Sequence, residues 1–260
     1  VPLTVESKPV GKLAKRWKLG VEAAARKVRY DFYLRAAAKF KCSKVATAHT
    51  LSDNAETILQ RLIEGTGPAG LSGIPVSRAL DKNGDVTVVR PLLFATRREI
   101  EKYISARALS ARIDRTNFEP LCTRNKIRLE ILPRILELNP SAEEAISKAG
   151  ANVASLFDFL EDAVSKSENA IVASRTRGKT VLRKKALLLS PEIISREIVK
   201  RAILHSGIDG REFSSTHVDA VMRLARSRRP CAVVRLHAAQ ATLDAEKLTI
   251  DGSKPHGRRT

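Results

Sequence analysis

The chain has 260 residues, 43% of them hydrophobic, and carries 47 Lys+Arg against 28 Asp+Glu for a net charge of +19. That length accommodates one large domain or two ordinary ones, and a positive field of this size favours a polyanionic partner, a nucleic acid first of all. Apolar runs stay well short of the ~18 residues that cross a bilayer, no charged-then-apolar leader opens the sequence, and Cys42, Cys122 and Cys231 lack C-x-x-C spacing, which excludes a zinc knuckle or a disulfide framework and makes a cytoplasmic protein the expectation.

In chain order, Val1-Pro2-Leu3-Thr4-Val5 reads as a strand, so the chain is expected to start inside a domain. Residues 21–39 have helical periodicity, with Val21, Ala24, Ala25, Val28, Phe32 and Ala36 on one face and Arg26, Arg29, Tyr30 and Tyr33 on the other. Lys44-Val45-Ala46-Thr47-Ala48 reads as a short buried strand. Over 53–64 a second helix is expected, with Ala55, Ile58, Leu59, Leu62 and Ile63 on its core side and Asp53, Glu56, Thr57 and Gln60 opposite. Gly65-Thr66-Gly67-Pro68-Ala69-Gly70 matches a G-x-G-x-x-G pattern. It follows a helix instead of a strand, so Gly65 is expected to be a helix C-cap and the rest a tight loop. A strand is expected at 86–89, after the turn Asp81-Lys82-Asn83-Gly84.

Beyond Thr96 the pattern becomes helical, over 96–106, 123–138, 143–166, 192–205 and 215–226, with a domain boundary at Asn139-Pro140-Ser141 and Ser141 as the N-cap. A strand pair, Val233–Leu236 and Leu248–Ile250, is expected to close the fold, followed by a basic disordered tail over 252–260. Alternation of strands and helices gives an α/β class, a parallel sheet with flanking helices, followed by a mostly helical domain.

Two carboxylates, Asp53 and Glu56, stand one turn apart at a helix N-terminus just past the carboxyl end of a strand, the place where open α/β sheets bind ligands. The helix macrodipole favours acids there even without a ligand. His49 stands at the strand end, as a site group or a packing residue. Arg124 and Arg128, at i and i+4 around Asn125, can grip a phosphate bidentately or lie on a solvated helix face. Two basic groups stand out: Arg175, Arg177, Lys179, Arg183, Lys184 and Lys185, then Arg223, Arg226, Arg228 and Arg229. His205, His217, His237 and His256 are scattered along the sequence, and no site role is expected of them.

Several ordered blocks together resemble the tRNA(Ile)-lysidine synthetase family. They are Ala24-Ala25-Arg26-Lys27-Val28-Arg29-Tyr30, the segment His49 to Pro75, Arg90-Pro91-Leu92-Leu93, Asp114-Arg115-Thr116-Asn117, and Arg124-Asn125-Lys126-Ile127-Arg128 with Leu132-Pro133. The resemblance is strong over 1–140 and persists as a helical pattern over 141–230. It implies an N-type ATP pyrophosphatase (adenine nucleotide alpha hydrolase-like) domain over 1–140 and a helical tRNA-binding domain over 141–251. It also implies a two-step reaction. ATP adenylates the C2 oxygen of a wobble cytidine in an isoleucine tRNA, and the ε-amine of free lysine displaces AMP. Asp53, Glu56 and Arg124 would then be catalytic, the carboxylates holding an ammonium group or a magnesium ion. Arg29, His49, Asn125 and Arg128 would bind substrate, and Arg223, Arg226, Arg228 and Arg229 would bind tRNA. ATP with Mg2+ is the implied cofactor set, free lysine and the tRNA are the partners, and a homodimer stays open.

The sequence departs from the family pattern in four places. A Ser-Gly-Gly-x-Asp-Ser pyrophosphate loop would lie upstream of Val1, so this polypeptide by itself is expected to bind ATP poorly. Thr50 stands where a histidine is usual, Ser52 where an aspartate is usual, and Asn54 where a glutamine is. The alternatives are a non-catalytic tRNA-binding remnant or fragment of that enzyme, and a tRNA thiolase of the same superfamily. The thiolase is disfavoured because no cysteine pair is present.

Overall fold

The computed structural model describes residues 3–81, 83–110, 123–208, 213–227, 229 and 231–252. The chain divides into two compact units, Val1–Ser155 and Leu156–Thr260. Among the described residues no helix is long and apolar enough to cross a membrane.

In the first unit, α1 (Val10–Trp17) and α2 (Val21–Phe40) precede β1 (Lys44–Ala46), and α3 (Leu51–Glu64) and α4 (Pro68–Leu71) precede β2 (Ser77–Ala79) and β3 (Thr87–Val89). The sheet order is β1-β3-β2. Strand β1 runs parallel to β3 with Val45 opposite Val88, and β2 is antiparallel with Arg78 opposite Val88. The parallel pairing follows the sequence expectation, whereas β2 has no apolar alternation to announce it and is exposed throughout. Strand β1 is shorter than 44–48 and only half-buried at Val45, because it pairs on one side only and Thr47 already leaves the ladder through a bond to the Val89 carbonyl.

The strand expected at 1–5 is also corrected. Leu3, Thr4 and Val5 form no strand, Val1 and Pro2 lie outside the described residues, and the first helix is α1. The segment is held by charge instead of a ladder: Arg35 of α2 pairs with Glu6 at 2.6 Å.

Helix α3 begins two residues earlier than its apolar pattern, because Thr50 makes a capping box. Its hydroxyl accepts from the Asp53 N–H at 3.1 Å, and the Asp53 carboxylate accepts from the Thr50 N–H at 2.9 Å, an arrangement that satisfies two orphan donors at once. The expected core stripe holds at Ala55 and Ile58 and fails elsewhere, since the polar face is buried as well and the stripe's far end is not. Ser52, Asn54, Ala55, Glu56 and Ile58 are buried, while Leu62 and Ile63 are exposed. Burial is tolerated because each polar side chain has a partner. Ser52 accepts from the Arg97 N–H, Asn54 accepts from the Ile74 N–H, and Glu56 meets two arginines. Gly65 caps the helix at φ 73°, as its position after the helix requires, but the rest of the glycine-rich segment is not all loop: Pro68, at the first helical position, starts the single turn α4, and Arg61 latches it through the Gly70 and Gly73 carbonyls. At Gly73 (φ +74°) a Cβ would run into the Asn54 amide oxygen, so the turn needs glycine both for its backbone and for its space.

Helix α5 (Arg97–Ala106) starts from a second capping box, Thr96 with Glu99. The helix expected over 123–138 consists of α6 (Thr123–Lys126), a π-turn (Ile127–Ile131) and α7 (Leu132–Leu138). Pro133 has no N–H to offer the Leu129 carbonyl, and the Leu132 N–H reaches back five residues to Ile127, the widened spacing of a π-turn. Helix α8 (Ala142–Ile171) begins in the first unit and ends in the second. Its Gly150 permits close approach to Ile58 and to the Leu71 carbonyl, so packing continues past Asn139-Pro140-Ser141 as far as Ser155.

The second unit is built on a five-stranded antiparallel sheet of order β4-β5-β8-β7-β6: β4 (Val172–Thr176), β5 (Lys179–Arg183), β6 (Val233–Leu236), β7 (Ala239–Leu243) and β8 (Lys247–Asp251). Short α9 (Lys184–Leu189) precedes α10 (Glu192–His205) and α11 (Ser215–Arg226). The expected helices are present, and the expected strand pair is β6 and β8 with β7 inserted between them. Strand β7 alternates buried and half-buried along Ala-Gln-Ala-Thr-Leu, a pattern too poor in β-branched residues to be legible. Its core joins Leu182, Leu187, Ile198, Val199, Ile203, Val221, Leu243, Leu248 and Ile250, all essentially inaccessible to solvent. The expected tail beyond Gly252 lies outside the described residues.

Candidate active site

Glu56 is 1% exposed and grips two arginines. Its Oε2 accepts from Arg124 Nε at 2.9 Å and Arg128 Nη2 at 2.8 Å, and its Oε1 accepts from Arg128 Nε at 2.6 Å. The sequence supplies this directly: Arg124 and Arg128 lie about one turn apart, and helix α6 with its π-turn packs against α3. Asp53, one turn from Glu56, takes the outer faces of the same guanidinium groups. Its Oδ1 is 2.9 Å from Arg124 Nη2, 3.4 Å from Arg128 Nη2 and 3.7 Å from Arg97 Nη2. Charge-assisted, partly bidentate contacts of this kind are short and directional. Two carboxylates thus face three guanidinium groups; a third acid, Glu143, hydrogen-bonds Ser52 and senses Glu56 and Arg97, but burial raises its carboxyl, and with Arg29 on the cavity wall the centre as a whole is cationic.

Burial alone would raise the Asp53 carboxyl, but the Thr50 N–H and hydroxyl and the Arg124 and Arg97 charges outweigh it and hold Asp53 below the usual carboxylate range. Asp53 therefore stays ionised and keeps the guanidinium groups turned inward. It lines a cavity of about 530 Å³ together with Arg29, Tyr33, Thr47, His49, Arg124, Asn125 and Arg128. An adjoining cavity of about 500 Å³ shares Arg29, Tyr33, Thr47, His49 and Arg124 and adds Gly20, Glu22, Arg26, Tyr30 and Gln60. His49 Nδ1 lies 2.9 Å from the Thr47 hydroxyl. Burial lowers the His49 pKa, the Asp53 charge opposes this, and Arg90, Arg124 and Arg26 reinforce it. The imidazole is accordingly neutral at physiological pH.

Every residue that the resemblance singled out in the first unit is thus brought to one place: Arg29, His49, Asp53, Glu56, Arg124, Asn125 and Arg128. Glu56 requires a correction. Both of its carboxylate oxygens are occupied by guanidinium groups and it does not line the cavity, so it cannot meet an ammonium group directly. Magnesium does not fit this pair either, since each carboxylate is already neutralised by arginine. Among the described residues, no group of three or more His, Cys, Asp or Glu converges as a metal site.

The tRNA-binding candidates lie in the second unit. Arg223 and Arg226 are exposed on the last turn of α11, Arg226 at 3.3 Å from Glu192, and Arg229 is exposed just beyond. Arg228 lies outside the described residues, as do Asp114-Arg115-Thr116-Asn117 and the residues Cys122 and His256. The other basic group divides by task. Arg183 donates to the Asn169, Ala170 and Val172 carbonyls at the end of α8, Lys184 to the Ser227 carbonyl, and Arg175 pairs with Glu168.

Arg97, Tyr33 and Thr47 belong to the site but escaped the sequence reading. The Thr96-x-x-Glu99 capping box was available in the sequence and places Arg97 at the first helical position. Tyr33 shares a helical face with Arg26, Arg29 and Tyr30, which was visible without a reason to assign it a task. Thr50 and Ser52, which replace a histidine and an aspartate of the family pattern, have definite local roles here, the α3 cap and the anchor of the Arg97 N–H.

A family model described as a PP-loop domain matches residues 1–135. Named relatives include a tRNA(Ile)-lysidine synthase of Clostridium tetani, 38% identical over 216 residues, 83% of this chain and 44% of that protein. Another, from Thermosipho africanus, is 44% identical over 149 residues, 57% of this chain and 33% of that protein. A third, from Geobacter sulfurreducens, is 33% identical over 243 residues, 94% of this chain and 50% of that protein. The chain spans half the length or less of these curated relatives. The match across the site-bearing unit, with Arg29, His49 and Arg124 from three separate blocks lining the Asp53 cavity, leads to one conclusion: the chain belongs to the PP-loop domain family, with tRNA(Ile)-lysidine synthases among its relatives.

Proposed function

We propose that the protein of which this chain is part ligates lysine to C2 of the wobble cytidine of an isoleucine tRNA at the expense of ATP. The base's C2 oxygen attacks the α-phosphorus and pyrophosphate leaves. The lysine ε-amine then attacks C2, and AMP carries away the oxygen. The observation that supports this reading is the cationic centre formed by Arg97, Arg124 and Arg128 over Asp53 and Glu56, in a chain whose relatives bear that activity in their names.

Negative charge grows on the α-phosphoryl group in the first step and on departing AMP in the second. Guanidinium groups fixed beforehand stabilise such charge more than mobile ones do, because nothing reorganises at the moment of reaction. Arg124 and Arg128 take that role, with Arg29 and Asn125 on the same cavity wall. Asp53 and Glu56 are positioning residues that fix the arginines. Neutral His49 is available to take the proton that the attacking amine releases, since an amine with a pKa near ~10.4 must lose a proton to react. The exposed arginines at the end of α11 supply a surface for tRNA phosphates.

The test is lysine-dependent release of AMP from ATP in the presence of isoleucine tRNA, with product analysis of the wobble nucleoside. Modified cytidine appearing only when lysine, ATP and tRNA are all present supports the reading. AMP release indifferent to lysine overturns it.

A further inference from the structure

Aromatic side chains are scarce here, 4% of the sequence with three tyrosines in all, yet two of those tyrosines stand together beside the arginine centre. The Tyr30 and Tyr33 rings are 5.8 Å apart and tilted by 44°, and Phe32 is 6.3 Å from Tyr33. Tyr30 is braced by two guanidinium groups, Arg26 of the same helix at 5.2 Å and Arg78 of β2 at 5.7 Å from its ring centre. Tyr33 is the tyrosine that lines both cavities, with the smaller His49 ring beside it. Gly20 and Ala23 leave room in the second cavity, and Glu22 and Gln60 put polar groups on its wall. Gln60 donates its amide NH2 to Glu64 at 2.8 Å, which leaves its carbonyl oxygen as an acceptor.

We infer that this second cavity receives one unstacked nucleobase of the RNA substrate, with Tyr33 as its stacking platform. This deepens the function proposed above and rests on it. Chemistry on a base requires that the base leave its stack and enter a pocket, and single-stranded RNA bases are held by aromatic rings and arginine planes. Glu22 and the Gln60 carbonyl are both acceptors, which suits a base with an exocyclic amine. Arg26 and Arg29 beside them suit the flanking phosphates. The base so held would adjoin the cavity where Arg124 and Arg128 await the phosphoryl group.

The experiment is photocrosslinking of isoleucine tRNA carrying iodocytidine at the wobble position to the whole protein of which this chain is part, with the attached peptide identified by mass spectrometry. In parallel, a photoreactive-adenine analogue of ATP is mapped, and lysine-dependent AMP release is measured. The expected result is an RNA crosslink on the peptide bearing Tyr33. It should be lost in Tyr33→Leu and kept in Tyr33→Phe, with the KM for tRNA raised about tenfold in the leucine variant, the scale of one lost stacking contact. An RNA crosslink elsewhere with AMP release intact overturns the pocket and leaves the reaction standing. Labelling of Tyr33 by the ATP analogue also overturns it, by making the ring an adenine platform. A Tyr33 crosslink without any lysine-dependent AMP release supports the nucleobase site and removes the ligase reading. Because the wild-type crosslink is decisive by itself, poor folding of the leucine variant does not spare the proposal.

Discussion

The two units hide different things. The interior of the first is made largely of small residues (Ala14, Ala24, Ala37, Ala55, Ala95 and Ala142, with Ile58, Val88, Ile127 and Leu132) around buried Thr50, Ser52, Asn54, Glu56 and Arg90. The interior of the second is a continuous aliphatic cluster from Val164 to Ile250. The first unit therefore has charge pairing at its centre, the second has area removed from water, and the site belongs to the one whose interior is polar. The largest break in this comparison is Glu56→Ala. Two guanidinium groups would lose their shared counter-charge, and removing one partner of a buried pair costs about 3–5 kcal/mol. The only tryptophan, Trp17, lies in the first unit, so its fluorescence in a denaturant titration should report an earlier transition. Glu56→Gln should destabilise less and still lower kcat, with a smaller effect on the KM for tRNA. Normal stability and turnover in both variants would dismiss the anchor role.

Ile198→Ala applies the same question to the second unit. A fully buried isoleucine truncated to alanine loses transfer free energy and leaves a cavity, about 2–5 kcal/mol together. The midpoint followed by circular dichroism should fall, while AMP release per folded molecule holds. Thr50→Ala is a smaller cut in the first unit, about 1 kcal/mol for a lost N-cap. It should also weaken catalysis, because the Thr50 N–H and hydroxyl orient the Asp53 carboxylate that faces the cavity; a change in stability without any change in kcat would detach the cap from the chemistry.

This division also explains what could be read from the sequence. Helices with sustained periodicity were legible: α5, α10 and α11 lie close to where the pattern puts them. The candidate site was legible as a cluster of residues, because the resemblance orders along the chain the blocks whose side chains the fold gathers. The partnership within it was not. Asp53 and Glu56 read as open acids, and only the packing of α6 and its π-turn against α3 closes them with arginine. Burial of the polar face of α3 was hidden for the same reason, since periodicity assumes that a core is apolar. Strands β2, β4 and β7 escaped because strands rich in Ser, Arg, Ala and Thr carry little hydrophobic alternation, and β5, Lys-Thr-Val-Leu-Arg, was hidden inside what read as a basic run. Arg183 read as one charge in a basic run, and it proves to cap the end of α8.

A smaller effect separates the units by pH. His49 has a lowered pKa in the folded protein, chiefly from burial, with nearby arginine charge added. Between the unfolded value near ~6.5 and the lower folded value, the unfolded chain binds the extra proton, so stability falls as pH drops through that window. Asp53, depressed in the opposite chemical sense, keeps its contribution until pH falls below the ordinary carboxylate range near ~3.9. Trp17-detected stability should therefore begin to decline just below pH ~6.5. In His49→Gln that part of the decline should vanish, and the acid limb should remain. A decline unchanged by the substitution would place the titrating group elsewhere.

The smallest expected change concerns the second unit's surface. Arg226 is more than half exposed and its pairing with Glu192 spans 3.3 Å, so an alanine there should cost about 0–1 kcal/mol of stability. What it should alter is RNA binding. A lysine or arginine that neutralises one phosphate contributes about one to the slope of log K against log salt. Arg226→Ala should thus weaken tRNA binding at low salt, flatten that slope by about one, and leave the Trp17 transition where it was. Arg223→Ala, on the same exposed end of α11, should repeat the result. If both slopes match the parent protein, the arginines at the end of α11 are a solvated helix terminus, and the polyanion must be held by the basic side chains around the Asp53 cavity instead.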